Sequence, residues 1–347
     1  MNLKIKRVIQ LFASTSLLFS HLTSAEITFR GETNVFYTSD VSIFSASQRL
    51  ALREDPTQPL LEDTGVGGDV VYEPAAEVIK TLHPSWGKMK LELRTQGYLF
   101  TSHTKFNHGT YGAQVTQTLP ADFDLRFRYH FGPDQFIGKN RIHRDLRILE
   151  TQAENKNQEN ANENLLSERV TTHFGTVELE RKVLDSLGLR VLGRYGNRSY
   201  NKDFSHRDTD FWTIGTHMAW EIRPGMEFVL GYHYERGLTG GRKRIQFEDD
   251  IAYRSNYVSA EMVTHLNEKM RAVLGFDFEH NLFTSRHINE ERRNGNEKIY
   301  QGDIEARYQL NKNIDLRIGY QHAQRKFTYE DKTAVLNTVM VGSVFRF

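Results

Sequence analysis

No cysteine occurs in the 347 residues, which excludes a disulfide framework and an acylated lipoprotein N-terminus. Long apolar runs are missing too. Mean hydropathy is -0.58, and no segment beyond the N-terminus approaches the roughly 18 apolar residues of a transmembrane helix. Prolines number only 7, and neither sign of charge dominates, with 45 Lys and Arg against 44 Asp and Glu. That balance gives no reason to expect nucleic acid as a partner. Aromatic residues, by contrast, reach 12%, with 22 Phe and 15 Tyr, too many for a disordered exported chain. A polar average with many aromatics arises when apolar and polar residues alternate along strands and cancel in any window.

Residues 1–25 combine a basic start (Lys4, Lys6, Arg7), an apolar stretch from Val8 to Phe19 and the small residues Thr23-Ser24-Ala25. This pattern predicts a secretory signal peptide cut after Ala25. A single anchor helix is the alternative, but the apolar stretch is short of the roughly 20 residues that spanning requires. Residues 26–347 then form one domain.

Period-2 alternation predicts strands at Glu26–Ser39, Gly68–Leu82, Lys88–Thr101, Thr110–Leu119, Asp122–Phe131, Leu166–Val183 and Leu187–Tyr200. It continues at Asp208–Glu221, Met226–Gly237, Ser255–Leu266, Met270–Asn281, Lys298–Leu310, Ile314–Lys326 and Ala334–Phe347. The total is about fourteen, an even number. Short turns such as Arg223-Pro224-Gly225 and Asn311-Lys312-Asn313 alternate with longer connections, the longest at 40–66 and 132–164. Pro56, Pro59 and Pro133 fall in long connections, and Pro84, Pro120 and Pro224 in short turns. Pro74 lies inside the second strand, where it removes a ladder donor and predicts a bulge or irregularity.

Each strand has two unlike faces. Phe228, Leu230 and Tyr232 oppose Glu227, Gly231 and His233, and Ile314, Leu316 and Ile318 oppose Asp315, Arg317 and Gly319. The last predicted strand ends in Val-Phe-Arg-Phe, with Val339, Val341, Phe345 and Phe347 on one parity. This ending resembles the C-terminal strand of bacterial outer-membrane β-barrels, in which a final Phe is the recognition signal of the assembly machinery. The resemblance implies an all-β fold, a transmembrane antiparallel β-barrel of about fourteen strands in the bacterial outer membrane. It also implies outer-membrane lipid and the barrel assembly machinery as partners, with Phe347 as the assembly signal. Short periplasmic turns and long outer loops fit such a barrel, and Trp212, Trp220, Tyr129, Tyr200, Tyr234 and Tyr308 are candidates for its aromatic girdles. A soluble antiparallel sandwich shares the alternation and is the competing architecture.

The charged parity cannot face lipid, where a Lys or Arg at the midplane costs about 2–4 kcal/mol. It predicts a lumen basic in its earlier half (Lys90, Arg94, Arg126, Arg128, Arg190, Arg194, Arg198) and mostly acidic in its later half. The acidic set is Glu227, Glu235, Glu261, Asp277, Glu279, Asp303 and Glu305, with Arg317 among them. Such a wall either orients polar solutes in an open pore or pairs across the lumen and seals it, and a barrel of intermediate size permits both. Gly132–Asn164, which contains the Gln/Asn/Glu tract Gln152–Asn164, is a candidate constriction, and 40–66 is a second.

Asn107-His108-Gly109-Thr110 and Ser205-His206-Arg207-Asp208 supply no nucleophile, base and orienting partner together. The second reads as a solvated loop. The 14 His show no metal-ligand spacing, so no enzymatic activity, catalytic residue, metal or cofactor is expected. The run from Asp208-Thr209-Asp210-Phe211-Trp212 through Arg223-Pro224-Gly225-Met226 to Gly231-Tyr232-His233-Tyr234-Glu235-Arg236, with an echo at Gly319-Tyr320, resembles β-barrel porins found with exopolysaccharide biosynthesis genes. That resemblance implies a channel or accessory for polysaccharide passage. The sequence therefore predicts a passive channel for polar or charged solutes, saccharide or exopolysaccharide among them. The competing reading is a closed barrel acting as a surface scaffold or adhesin through its outer loops.

Overall fold

Alternating polarity organises the described residues into strands whose edges are all consumed. A computed structural model describes residues 26–41, 44, 66–84, 87–140, 166–243, 249–288, 290, 292–328 and 332–347. The expected signal peptide (residues 1–25), most of the 40–66 connection and the Gln152–Asn164 tract lie outside the described residues. The strands are β1 (Glu26–Thr38), β2 (Asp69–Leu82), β3 (Met89–Phe100), β4 (His108–Leu119), β5 (Phe123–Asn140), β6 (Leu166–Leu184) and β7 (Leu187–Tyr200). They continue as β8 (Thr209–Arg223), β9 (Met226–Thr239), β10 (Tyr253–His265), β11 (Met270–Phe283), β12 (Asn296–Asn311), β13 (Ile314–Phe327) and β14 (Lys332–Arg346).

Every strand pairs antiparallel with its chain neighbours, and β14 pairs with β1 to close the barrel. The seam runs from Arg30 opposite Arg346 to Thr38 opposite Thr338. Beyond it Phe29 and Phe347 exchange backbone hydrogen bonds of 3.1 and 2.9 Å. Closure removes the open edges that would otherwise template aggregation, and it rules out the sandwich. Short turns gather at one end; Pro224-Gly225, with Gly225 at φ 80°, has the residues of a type II turn and joins β8 to β9. The long connections leave the opposite end.

The outward parity is apolar and exposed: Ile27 and Phe29 on β1, Val177 on β6, Val191 on β7, Phe276 on β11, Ile318 on β13 and Val341 on β14. An exposed apolar wall that encircles a closed barrel is built to face lipid. Trp212 and Trp220 stand exposed at opposite ends of β8, with Tyr129 and Tyr308 also outward. Tyr200 is different. It shares the inward parity of Arg198 and packs against the internal apolar cluster, so it is not a girdle residue.

Two sequence expectations fail for local reasons. β5 does not stop at Phe131 but continues to Asn140, so Gly132–Asn140 is strand rather than loop. The register slips twice against β6, between Gly132 and Gln135 and between Phe136 and Gly138, with Asp134 at φ 46°. Pro133 thus sits at a bulge, where a missing ladder donor is tolerated. Pro74 produces no bulge. Its pairing to Thr33 is continuous, and across β3 the register is the same on either side of the gap, Tyr72 opposite Leu99 and Ala75 opposite Gln96. Gly97, beside the proline ring, presents no side chain to it.

Candidate functional site

Inside the barrel, among the described residues, three sizeable cavities with charged walls lie toward the half nearer the short turns. One, of about 430 Å³, is lined by Lys88, Lys90, Glu92, Arg126, Arg128 and Arg190 with polar neighbours. A second, of about 280 Å³, shares Glu92, Gln114 and Arg128 with the first and adds Glu77, Arg94 and Gln96. The third, of about 390 Å³, shares Arg94 and Gln96 with the second. Its far wall carries Glu261, Asp303, Glu305, Arg307 and Arg317. The cavities therefore form a series across the lumen, from β3–β5 to β10–β13.

The expected division into a basic and an acidic half does not hold. Glu178 and Glu180 on β6 stand between the arginines of β5 and β7. Arg126 reaches both at 3.0 Å, and Arg190 lies 3.8 and 3.1 Å from them. Arg128 approaches Glu178 at 3.7 Å. On the other side Arg317 pairs with Glu32, and Arg307 with Glu305. Charges of both signs are interleaved because neighbouring strands place opposite charges in cross-strand register, as Arg126 and Glu178 are.

The half nearer the long connections is packed. The chain leaving β1 turns inward, with the Val41 amide bonded to Gly67 O at 3.0 Å, and buries Val41 and Phe44 inside the barrel. Phe44 lies edge-on to Phe36 at 5.3 Å and to Phe100 at 6.0 Å. Phe106 and Phe136, 5.1 Å apart, extend the cluster toward β5. Thus the first connection, at its described start, enters the lumen. The constriction expected from Gly132–Asn164 falls partly in β5, which contributes buried Phe136 and Ile137, and otherwise outside the described residues.

Across from the aromatics the packing is polar. Arg198 and Glu235 approach at 3.6 Å, Arg325 pairs with Glu297, and Tyr257 donates to Asp277 at 2.6 Å. His217 and His233 meet nitrogen to nitrogen at 2.7 Å. Above them, the 3-10 turn Lys202–Arg207 directs His206 and Arg207 inward, so this segment is not a solvated loop. Asp249, in the connection after β9, accepts from His206 at 2.8 Å and Arg207 at 2.6 Å, and Arg207 also bonds Glu168 at 2.7 Å. Burial alone would raise the Asp249 carboxyl. Arg207, the His206 hydrogen bond and Arg292 outweigh it and hold the group well below the ordinary carboxylate range.

The charged residues expected from the sequence to line the lumen all take the inward parity, and all but Glu227 separate into two groups. Lys90, Arg94, Arg126, Arg128, Arg190, Asp303, Glu305 and Arg317 line the cavities. Arg194, Arg198, Glu235, Asp277 and Glu279 are buried in the packed half. Glu227 is exposed near the short-turn end. Phe347 is exposed beyond β14. Sequence reasoning missed Glu32, Glu92, Glu178 and Glu180, although Val177-Glu178-Leu179-Glu180 carries the same alternation. It read the Arg207 segment as a solvated loop and had no signal for Asp249, both outside the strands.

No family model matches the sequence, and no curated protein matches it. Solved structures share the fold. The outer-membrane channel DcaP of Acinetobacter baumannii superposes with a TM-score of 0.52 at 10% identity, covering 93% of this chain and 98% of that one. An anion-selective porin from Comamonas acidovorans gives 0.42 at 11% identity, covering 93% and 99%. A bacterial polysaccharide outer-membrane secretin gives 0.47 at 9% identity, covering 91% and 98%. With its lipid-facing wall and closed fourteen-strand architecture, the chain is an outer-membrane-type β-barrel. The fold it shares with DcaP is the closed antiparallel outer-membrane barrel.

Proposed function

We propose that the protein is an outer-membrane channel for the passive passage of polar or charged solutes, with saccharides as the class its walls suit best. The observation that carries this reading is the series of three cavities with common walls, joined through Arg128 and Arg94. Their surfaces mix guanidinium, carboxylate, amide and hydroxyl groups. A hydroxyl-rich solute finds both donors and acceptors there, and a solute of single charge meets attraction and repulsion together. The packed half sets the narrow part of the path.

That same packing supports a second reading, a closed barrel that acts through its outer loops, because buried Glu235, Glu297 and Arg325 occupy the long-connection half. Swelling of liposomes that contain protein purified from outer membranes separates the two. Entry of neutral oligosaccharides faster than in protein-free liposomes is the channel's outcome. Swelling no faster than in those controls, with the barrel folded, is the scaffold's.

A further inference from the structure

The lipid-facing wall carries a charged surface of its own at the long-connection end of β9–β13. Outward positions there pass from the apolar belt, where the Phe278 and Tyr300 rings pack 5.0 Å apart, to Arg236, Arg254, His280, Lys298 and Lys326. Arg236 shares the parity of exposed Leu230 and Tyr232, and Lys326 that of exposed Ile318 and Tyr320. The four full cations are in direct register, Arg236 opposite Arg254 and Lys298 opposite Lys326, with the His280 imidazole opposite Lys298. Side chains opposite one another are about 4.5–5.5 Å apart at Cβ, and like charges so placed destabilise a sheet.

Among the described residues no carboxylate offsets this repulsion. The outward positions of these five strands contain no Asp or Glu, and none of the five basic side chains has a carboxylate partner among the described residues. Arg169, outward on β6 at the same end, does have one: Asp134 at 2.9 Å. The His280 Nε2 is buried without a hydrogen-bond partner. Lys326 lies 5.8 Å over the Tyr300 ring, so its stem follows the belt while its ammonium stays at the belt's margin. A strip of cations beside the apolar belt at the long-loop end lies at the level of the outer-leaflet headgroups.

We propose that this arc is a docking surface for the phosphate groups of an anionic lipid in the outer leaflet. Phosphate oxygens placed between opposed cations replace repulsion by charge-assisted hydrogen bonds, while the acyl chains cover the belt below. Five strands at about 4.8 Å spacing make an arc about 19 Å wide, room for more than one phosphate.

The test is the thermal unfolding of the whole barrel in phosphatidylcholine vesicles, with and without admixed lipid A, compared with the variant Arg236→Gln/Arg254→Gln/Lys298→Gln/Lys326→Gln. The wild type is expected to gain several degrees in Tm from lipid A, and the variant to lose that gain while remaining at least as stable in phosphatidylcholine alone. An equal gain in both proteins, or none in the wild type, overturns the proposal. An equal gain from inorganic phosphate overturns the lipid source. Should the fourfold variant not fold, Arg254→Gln/Lys326→Gln with lipid A retention counted by native mass spectrometry gives the same decision: loss of retained lipid supports the docking surface and unchanged retention refutes it. None of these readouts depends on conduction.

Discussion

Arg198 on β7 reaches past β8 to Glu235 on β9, Nη2 to Oε1 at 3.6 Å, and both side chains are buried. Tyr253 completes the contact. Its hydroxyl accepts from Arg198 Nη1 at 2.9 Å and donates to Glu235, while the guanidinium lies 4.8 Å over Phe211. Three strands are thus tied together on the inner wall by one buried charge pair.

Removing one partner of a buried pair leaves the other charge uncompensated, at a cost of about 3–5 kcal/mol. Glu235→Ala is therefore expected to lower the unfolding midpoint in urea markedly. Combining Arg198→Leu with Glu235→Leu is expected to cost much less than the sum of the single changes. A double-mutant cycle in detergent checks this, and additive effects would contradict the pairing.

Phe44 is predicted to hold the first connection inside the barrel. Its ring is buried against Phe36 and Phe100, so Phe44→Ala removes up to about 3–5 kcal/mol of core packing. The variant is expected to conduct more than the wild type while its compact form melts earlier. Unchanged conductance would place the narrow point elsewhere.

The Asp249 cluster predicts a particular pH dependence. The carboxyl titrates lower in the folded protein than its unfolded value of about 3.9. Its contribution is present in full above that value and is lost as pH falls below it toward the folded value. Thermal scans from neutral pH to about pH 3 are expected to show a loss of stability in the wild type that is smaller in Asp249→Asn. Equal losses in the two would show that another group is responsible.

Strand number and facing were legible because lipid imposes one apolar face on every strand, as Phe228 and Leu230 do on β9 and Leu316 and Ile318 on β13. Strand length at the long-connection end was not. Gly132-Pro133-Asp134 reads as the start of a long connection, yet two bulges carry β5 past it, and a bulge shifts the parity that identifies a strand. The cavity walls were half legible. Arg126 and Arg128 stood out, whereas Glu178 required following the same alternation into the next strand and pairing it in register. The 40–66 connection was named only as a second candidate constriction, and Val41 and Phe44 were not picked out, since apolar residues in a connection have no period to reveal them.

Single-channel current across a planar bilayer tests the open lumen most directly, with protein purified from outer membranes and with an Arg190→Ala variant. Arg190 lies against Glu178 and Glu180 in the largest of the three cavities described. Stable conductance steps are expected in the wild type, with a shift toward cation preference in the variant, where the two carboxylates lose a neighbouring charge. A folded, heat-modifiable barrel that passes no current in either form would contradict a conducting channel.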